Sequence, residues 1–176
     1  MTKKAFGLSL SLIIFSFVAL GSNLASAADK RELLGSYRNW DALVITHDSG
    51  DKTCYIISTP TQVRPVGASR GDIYTTITIR PRVRIVDEVN IIVGYPLRAA
   101  SEVTASIGGR RFKLFTEGNG AWLRTPAEDA QMVQAMRAGN SLTVKGTSAR
   151  GTNTTDQYSL LGFTAAHNAI KEACQS

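Results

Sequence analysis

Histidine and cysteine are scarce in this chain of 176 residues: it has two of each, His47 and His167, Cys54 and Cys174. Two histidines leave little material for a Ser-His-Asp triad or a histidine-rich metal site. No Gly-x-Ser-x-Gly elbow, phosphate-binding loop, His-Glu-x-x-His pair or calcium loop occurs. His47 lies in His47-Asp48-Ser49-Gly50 and is expected to be a turn residue, while His167 flanks the apolar face of a C-terminal helix and is expected to pack at its boundary. A Ser148/Lys145 pair is the one conceivable nucleophile arrangement. Lys145 falls at the solvent-facing parity of a strand and Ser148 in a loop, which argues against it. The expectation is a non-enzymatic protein with no catalytic residue, no metal ligands and no cofactor; an uncharacterised hydrolase is the enzymatic alternative.

Long apolar runs are also few. The single one, residues 5–20, follows Lys3-Lys4 and precedes Ala25-Ser26-Ala27, a small-x-small cleavage site. This is the layout of a secretory signal peptide over residues 1–27, and the run is shorter than the ~20 residues that span a bilayer. Residues 28–176 then form the exported domain, 176 − 27 = 149 residues, a length that suits one hydrophobic core. Loss of Lys3 and Lys4 lowers the net charge from +6 to +4, that is 18 basic minus 14 acidic residues. Such a mild excess does not mark a nucleic-acid binder. With no second apolar segment, membrane contact is at most peripheral.

An even cysteine count in an oxidising compartment reads as one disulfide. There is no Cys-x-x-Cys, and no basic cluster stands near either thiol to favour a redox pair.

What is abundant is alternation with period two. Ile73, Thr75, Ile77 and Ile79 point one way, and Tyr74, Thr76, Thr78 and Arg80 the other. Residues 43–46, 53–58, 90–93, 103–107, 112–115, 122–123, 142–145 and 158–160 are further strands. Gly108-Gly109 is a two-residue hairpin turn. Thr125-Pro126-Ala127-Glu128 opens a helix with a cap hydroxyl, an N1 proline and an N3 glutamate. That helix buries Ala130, Val133 and Met136, and Gly139 ends it. Residues 163–174 form a second helix, with Phe163, Ala166, Ile170 and Cys174 on its inner face. Cys54 shares a strand face with Ile56, so a bridge from Cys54 to Cys174 would staple this helix to the sheet. Residues 146–156, the longest polar stretch, read as a loop.

The fold class predicted is mainly β: a single antiparallel β-sandwich-like domain with two short α-helices, one of them C-terminal. A closed barrel is the competing architecture.

Arg80, Arg82 and Arg84 alternate, so a continuing strand would project them from one face, with Pro81 marking an edge strand. Arg70, Arg98, Arg110 and Arg111 could extend the patch. Two readings stand: docking on an anionic surface such as lipopolysaccharide or an acidic partner, or an edge protected by charge from aggregation.

From Ile79 onward an ordered set of signals carries a family resemblance. The pieces are Ile79-Arg80-Pro81, Gly94-Tyr95-Pro96-Leu97, the Ile107-Gly108-Gly109 hairpin leading to Phe112 and Phe115, and Ala121-Trp122-Leu123. They continue through Ala135-Met136-Arg137-Ala138-Gly139, the stretch holding Ser148-Ala149-Arg150-Gly151, Gly162-Phe163 and Ala173-Cys174, with Trp40 and Cys54 fitting the N-terminal half. In this the chain resembles the invasion-associated locus B family of alphaproteobacterial envelope proteins. The resemblance implies an exported β-rich domain with a disulfide, located in the periplasm, at the outer membrane or on the cell surface. It also implies a link to host-cell entry, notably of red blood cells, with no catalytic motif to carry over. Partner contact is expected through Arg80, Arg82, Arg84, Ser148 and Arg150, the partner being a protein or an anionic surface of host or envelope and not a nucleic acid. A structural or stress-protective periplasmic factor is the alternative.

Overall fold

The computed structural model describes residues 28–175; the candidate signal peptide, residues 1–27, lies outside them. The N-terminal strands are β1 (Lys30–Tyr37), β2 (Trp40–Thr46), β3 (Lys52–Ser58), β4 (Gln62–Arg64), β5 (Tyr74–Arg80) and β6 (Ile85–Ile92). After them come β7 (Glu102–Ile107), β8 (Arg110–Glu117), β9 (Gly120–Trp122), α1 (Pro126–Ala138), β10 (Ser141–Thr147), β11 (Asn153–Ser159) and α2 (Phe163–Gln175). All strands join one sheet in the order β1-β2-β3-β5-β6-β9-β8-β7-β10-β11-β4, and every pairing is antiparallel.

Alternation decides which face is dry. Cys54 and Ile56 of β3, Ile77 and Ile79 of β5, Val89 and Ile91 of β6, Leu114 of β8, and Leu142 and Val144 of β10 all point into one core. The sheet curls over that core. Trp40 Nε1 donates to the Ser159 carbonyl (3.0 Å) and Asn39 N–H to the Leu161 carbonyl (3.3 Å), which ties the start of β2 to the end of β11. Among the described residues no ladder joins β1 to β4, so the sheet is sandwich-like and not a closed barrel.

The turn and cap signals act as the sequence predicts. Ile107 pairs with Arg110, and Gly108 and Gly109 both take positive φ, 53° and 83°, as a tight hairpin turn demands. At α1, Thr125 accepts from the Glu128 N–H while the Glu128 carboxylate accepts from the Thr125 N–H, a complete capping box. The buried face of α1 carries Met132, Val133, Ala135 and Met136 together with Asp129, so Ala130 is not part of it as expected. Gly139 ends the helix in an extended conformation, φ −96°. Close approach selects it: a β carbon there would stand 2.5 Å from Ile107 Cγ2.

Helix α2 lies on β1, β2, β3 and β5. Phe163, Ala166 and Ile170 are buried beneath it, and Phe163 meets Trp40 edge-to-face at 5.0 Å. Cys174 is bonded to Cys54 across 120 residues, with Cα atoms 6.1 Å apart.

Two expectations need correction. Residues 146–156 are not one loop: β10 runs to Thr147 and β11 resumes at Asn153, leaving residues 148–152 as the connection. The strand pattern was hidden because the inward positions here are Gly146, Thr154 and Asp156, which make room for Tyr95 and Arg70. Nor do Arg80, Arg82 and Arg84 share a strand face. β5 stops at Arg80, Pro81–Val83 form one 3-10 turn, and Arg84 is left-handed at φ 56°. β5 is flanked by β3 and β6, so it is no edge strand, and Pro81 lies just beyond the ladder, where its missing N–H is not needed.

Candidate binding site

The β5–β6 connection forms a cationic, apolar tip. Pro81 opens the 3-10 turn at a position where a donor would be unused. The Arg84 N–H closes it on the Pro81 carbonyl at 3.0 Å. Arg82 Nη1 donates to Asp51 Oδ2 at 2.7 Å, which anchors the tip to the β2–β3 turn. The Asp51 carboxyl is held below its ordinary range, first by the Ser49 hydroxyl and then by the charge and hydrogen bond of Arg82. The Arg84 guanidinium has no hydrogen-bond or ion-pair partner among the described residues. Val83 and Val86, on either side of it, are 59% and 61% exposed. Two open valines around an unpaired guanidinium suit an anionic surface with some apolar depth.

Arg80 does not join this tip. It reaches back across the sheet to Glu88 (2.8 Å), and its Nε is buried without a hydrogen-bond partner. Beside the tip, Phe115 and Trp122 stack at 6.0 Å on the solvent side of β8 and β9, with the Arg124 guanidinium 5.6 Å from the Phe115 ring. A groove of about 250 Å³ runs between Arg84, Val86, Phe115, Trp122 and Arg124, with Asp129 in its wall. There the Asp129 carboxylate accepts from the Val89 N–H at 2.9 Å. Strand β9 ends at Trp122, so this donor has no strand partner, and the carboxylate stands in for one. Burial pushes the Asp129 carboxyl above its ordinary value, and the negative charges of Glu88, Glu128 and Asp87 add to the shift.

Ser148 and Arg150 belong to a different place. They lie where residues 69–71, 94–96 and 148–150 meet around a cavity of about 480 Å³. Ser148 is buried, and its Oγ accepts from the Thr152 N–H (3.0 Å) while its own N–H donates to the Thr152 carbonyl (2.9 Å). That hydroxyl closes the loop. Arg150 is exposed. Beneath it, Arg70 and Asp156 form a forked ion pair at 2.7 and 2.6 Å, with side chains 5% and 1% exposed. Arg70 also donates to the Val93 carbonyl at 2.9 and 2.7 Å. Burial opposes the Arg70 charge, but Asp156 more than offsets it and the guanidinium is held more firmly charged than usual. Arg70 is therefore an internal strut and not part of a surface patch. The tip follows β5 and the three-loop cluster precedes it, so a seven-residue strand separates the two, roughly 20 Å.

The match that decides kinship covers residues 40–171: the family model of the invasion associated locus B (IalB) protein aligns over that span. The chain belongs to the invasion associated locus B family. No curated protein and no solved structure is significantly similar to it. The IalB match begins at the Trp40 that opens β2 and ends within α2, so both the tip and the three-loop cluster fall inside the shared region.

Within this IalB domain the histidines are engaged at both ring nitrogens. His167 is buried between Asp87, 2.7 Å from Nε2, and Arg137, 2.8 Å from Nδ1. A guanidinium only donates, so Nδ1 accepts and Nε2 carries the proton shared with Asp87. His47 contacts Asp29 (2.8 Å) and Thr53 (2.9 Å). Among the described residues no group of three or more His, Cys, Asp or Glu side chains is placed to hold a metal ion, and no helix is long and apolar enough to cross a membrane.

Sequence reasoning passed over the Phe115/Trp122 face and Asp129. The first was legible: Ala121 and Leu123 are buried, so parity turns Trp122 outward. Asp129 carried no such signal, because its role depends on where β9 stops.

Proposed function

We propose that this IalB protein is an exported, non-enzymatic envelope protein that acts by docking on an anionic surface through the tip at residues 82–86. The observation that carries the reading is the unpaired Arg84 set between exposed Val83 and Val86, on a turn anchored by the Arg82 contact to Asp51. The Cys54 to Cys174 bridge supports an oxidising destination such as the periplasm or cell surface. Engagement of both histidines and both cysteines in structural contacts supports a binding role. A part in host-cell invasion is the family's theme and would follow from such docking.

The experiment is cosedimentation of residues 28–176 with vesicles containing lipopolysaccharide. Wild type is expected to sediment with them, less so as salt rises. The Arg82→Glu, Arg84→Glu variant is expected to lose most of that binding. Equal binding by the variant would refute the tip, and no binding by either protein would refute anionic-surface docking.

A further inference from the structure

The open face of the sheet beside the tip holds an arrangement that anionic docking does not use. Thr76, Asn90, Trp122 and Phe115 stand in one row across β5, β6, β9 and β8, because Thr76 pairs with Asn90, Asn90 with Trp122, and Trp122 with Phe115. Trp122 shares its strand face with Gly120, and a β carbon at Gly120 would collide with the indole. The indole therefore lies down along the sheet over a glycine, backed by the Phe115 ring inclined at 29°. This side of the row opens into a shallow cavity of about 400 Å³, floored by Thr76, Thr78, Arg80, Glu88, Asn90 and Trp122, with His47 and Thr53 at its margin.

Part of the polar lining is unspent. Arg80 Nε is buried and has no hydrogen-bond partner among the described residues. Among the described residues Thr76 and Thr78 have no side-chain hydrogen bond, and the Asn90 amide has only a long contact of 3.4 Å to the Ala121 carbonyl. Charge is balanced around the floor, since Arg80 is paired with Glu88 at 2.8 Å and His47 stands 2.8 Å from Asp29. A floor of that kind favours a neutral ligand over an anion.

We propose that this face binds a neutral pyranose. The C–H face of such a ring lies against the electron-rich face of an indole. Its hydroxyls serve as donors and acceptors for Asn90, Thr76 and Thr78. The site stands apart from the tip, because none of its ligand-contacting groups is Arg82, Val83, Arg84 or Val86.

The test is a titration of residues 28–176 with glucose, galactose, mannose, N-acetylglucosamine and their short linear oligomers at millimolar concentrations. Saturation-transfer NMR and tryptophan fluorescence provide the readouts. Trp40 is buried in the core, so a fluorescence change reports Trp122. At least one saccharide is expected to bind. Trp122→Ala should weaken it by about tenfold or more, and Asn90→Ala and Thr76→Val should weaken it severalfold. Those two changes lie on the open face, so they decide the matter even if Trp122→Ala fails to fold. The Arg82→Glu, Arg84→Glu variant should bind the saccharide as wild type does, which separates this site from anionic docking. Silence across the panel, or binding unchanged in the Asn90 and Thr76 variants, would overturn the proposal.

Discussion

Asp156 and Asp129 are both buried carboxylates, and their surroundings give them opposite consequences. Asp156 is locked to Arg70 by two short bonds, with the Val93 carbonyl accepting two more from the guanidinium. Removing one partner leaves the other charge buried and uncompensated, so Asp156→Ala should cost about 3–5 kcal/mol. Urea denaturation measures this, and a loss below about 1 kcal/mol would contradict the strut assignment. Asp129 has a backbone donor and no cation, and burial raises its carboxyl above the ordinary 3.8. The native state therefore binds that proton more tightly than the unfolded chain does, and stability falls as pH rises from near 3.8 through the raised value. Above that window the cost is fully present. Asp129→Asn keeps an oxygen for the Val89 N–H and should remove this decline, leaving the variant at least as stable as wild type at pH 7. Asp129→Ala orphans the N–H and should lose about 1–3 kcal/mol. Denaturation midpoints from pH 3 to 8 separate the three proteins, and a steeper decline in Asp129→Asn would refute the assignment.

Among the elements, those specified by local chemistry were legible and those specified by distant contacts were not. Gly108-Gly109 and the Thr125/Glu128 box state their structure within a few residues. The long-range exception is the bridge between Cys54 and Cys174, expected from an even cysteine count in an oxidising compartment and compatible with the faces the two occupy. Strand β1 escaped notice because Lys30-Arg31-Glu32 is exposed along an edge and shows no alternation. The buried half of the β10–β11 hairpin was hidden by its polar lining, whose partners Arg70 and Tyr95 come from another part of the chain. The same limit applied to the site. That Arg82 and Arg84 are exposed cations could be read directly, but the 3-10 turn that parts them from Arg80 depends on where β5 leaves its ladder. For α2, the disulfide is the constraint at its far end. Chain-entropy reasoning gives about 4–5 kcal/mol for a loop of this length, so Cys54→Ser with Cys174→Ser should lower Tm by about 10 °C or more. Calorimetry with and without reductant checks this, and a Tm indifferent to both would show that packing alone holds the helix.

At the scale of the whole molecule, one curled sheet presents two ends with different equipment. One end carries the valine-flanked tip and, beside it, the flat indole with its polar row. The other carries the loops around Ser148 and Arg150, braced from below by the pair of Arg70 and Asp156. The IalB match covers both ends and does not choose between them; the exposed Val83 and Val86 on either side of the unpaired Arg84 guanidinium favour the tip. Hydrogen exchange of residues 28–176, free and bound to lipopolysaccharide vesicles, compares the two ends directly. Docking through the tip predicts slowed exchange over residues 82–86 and little change over residues 148–152. Protection confined to residues 148–152 would contradict it and move the functional surface to the three-loop end.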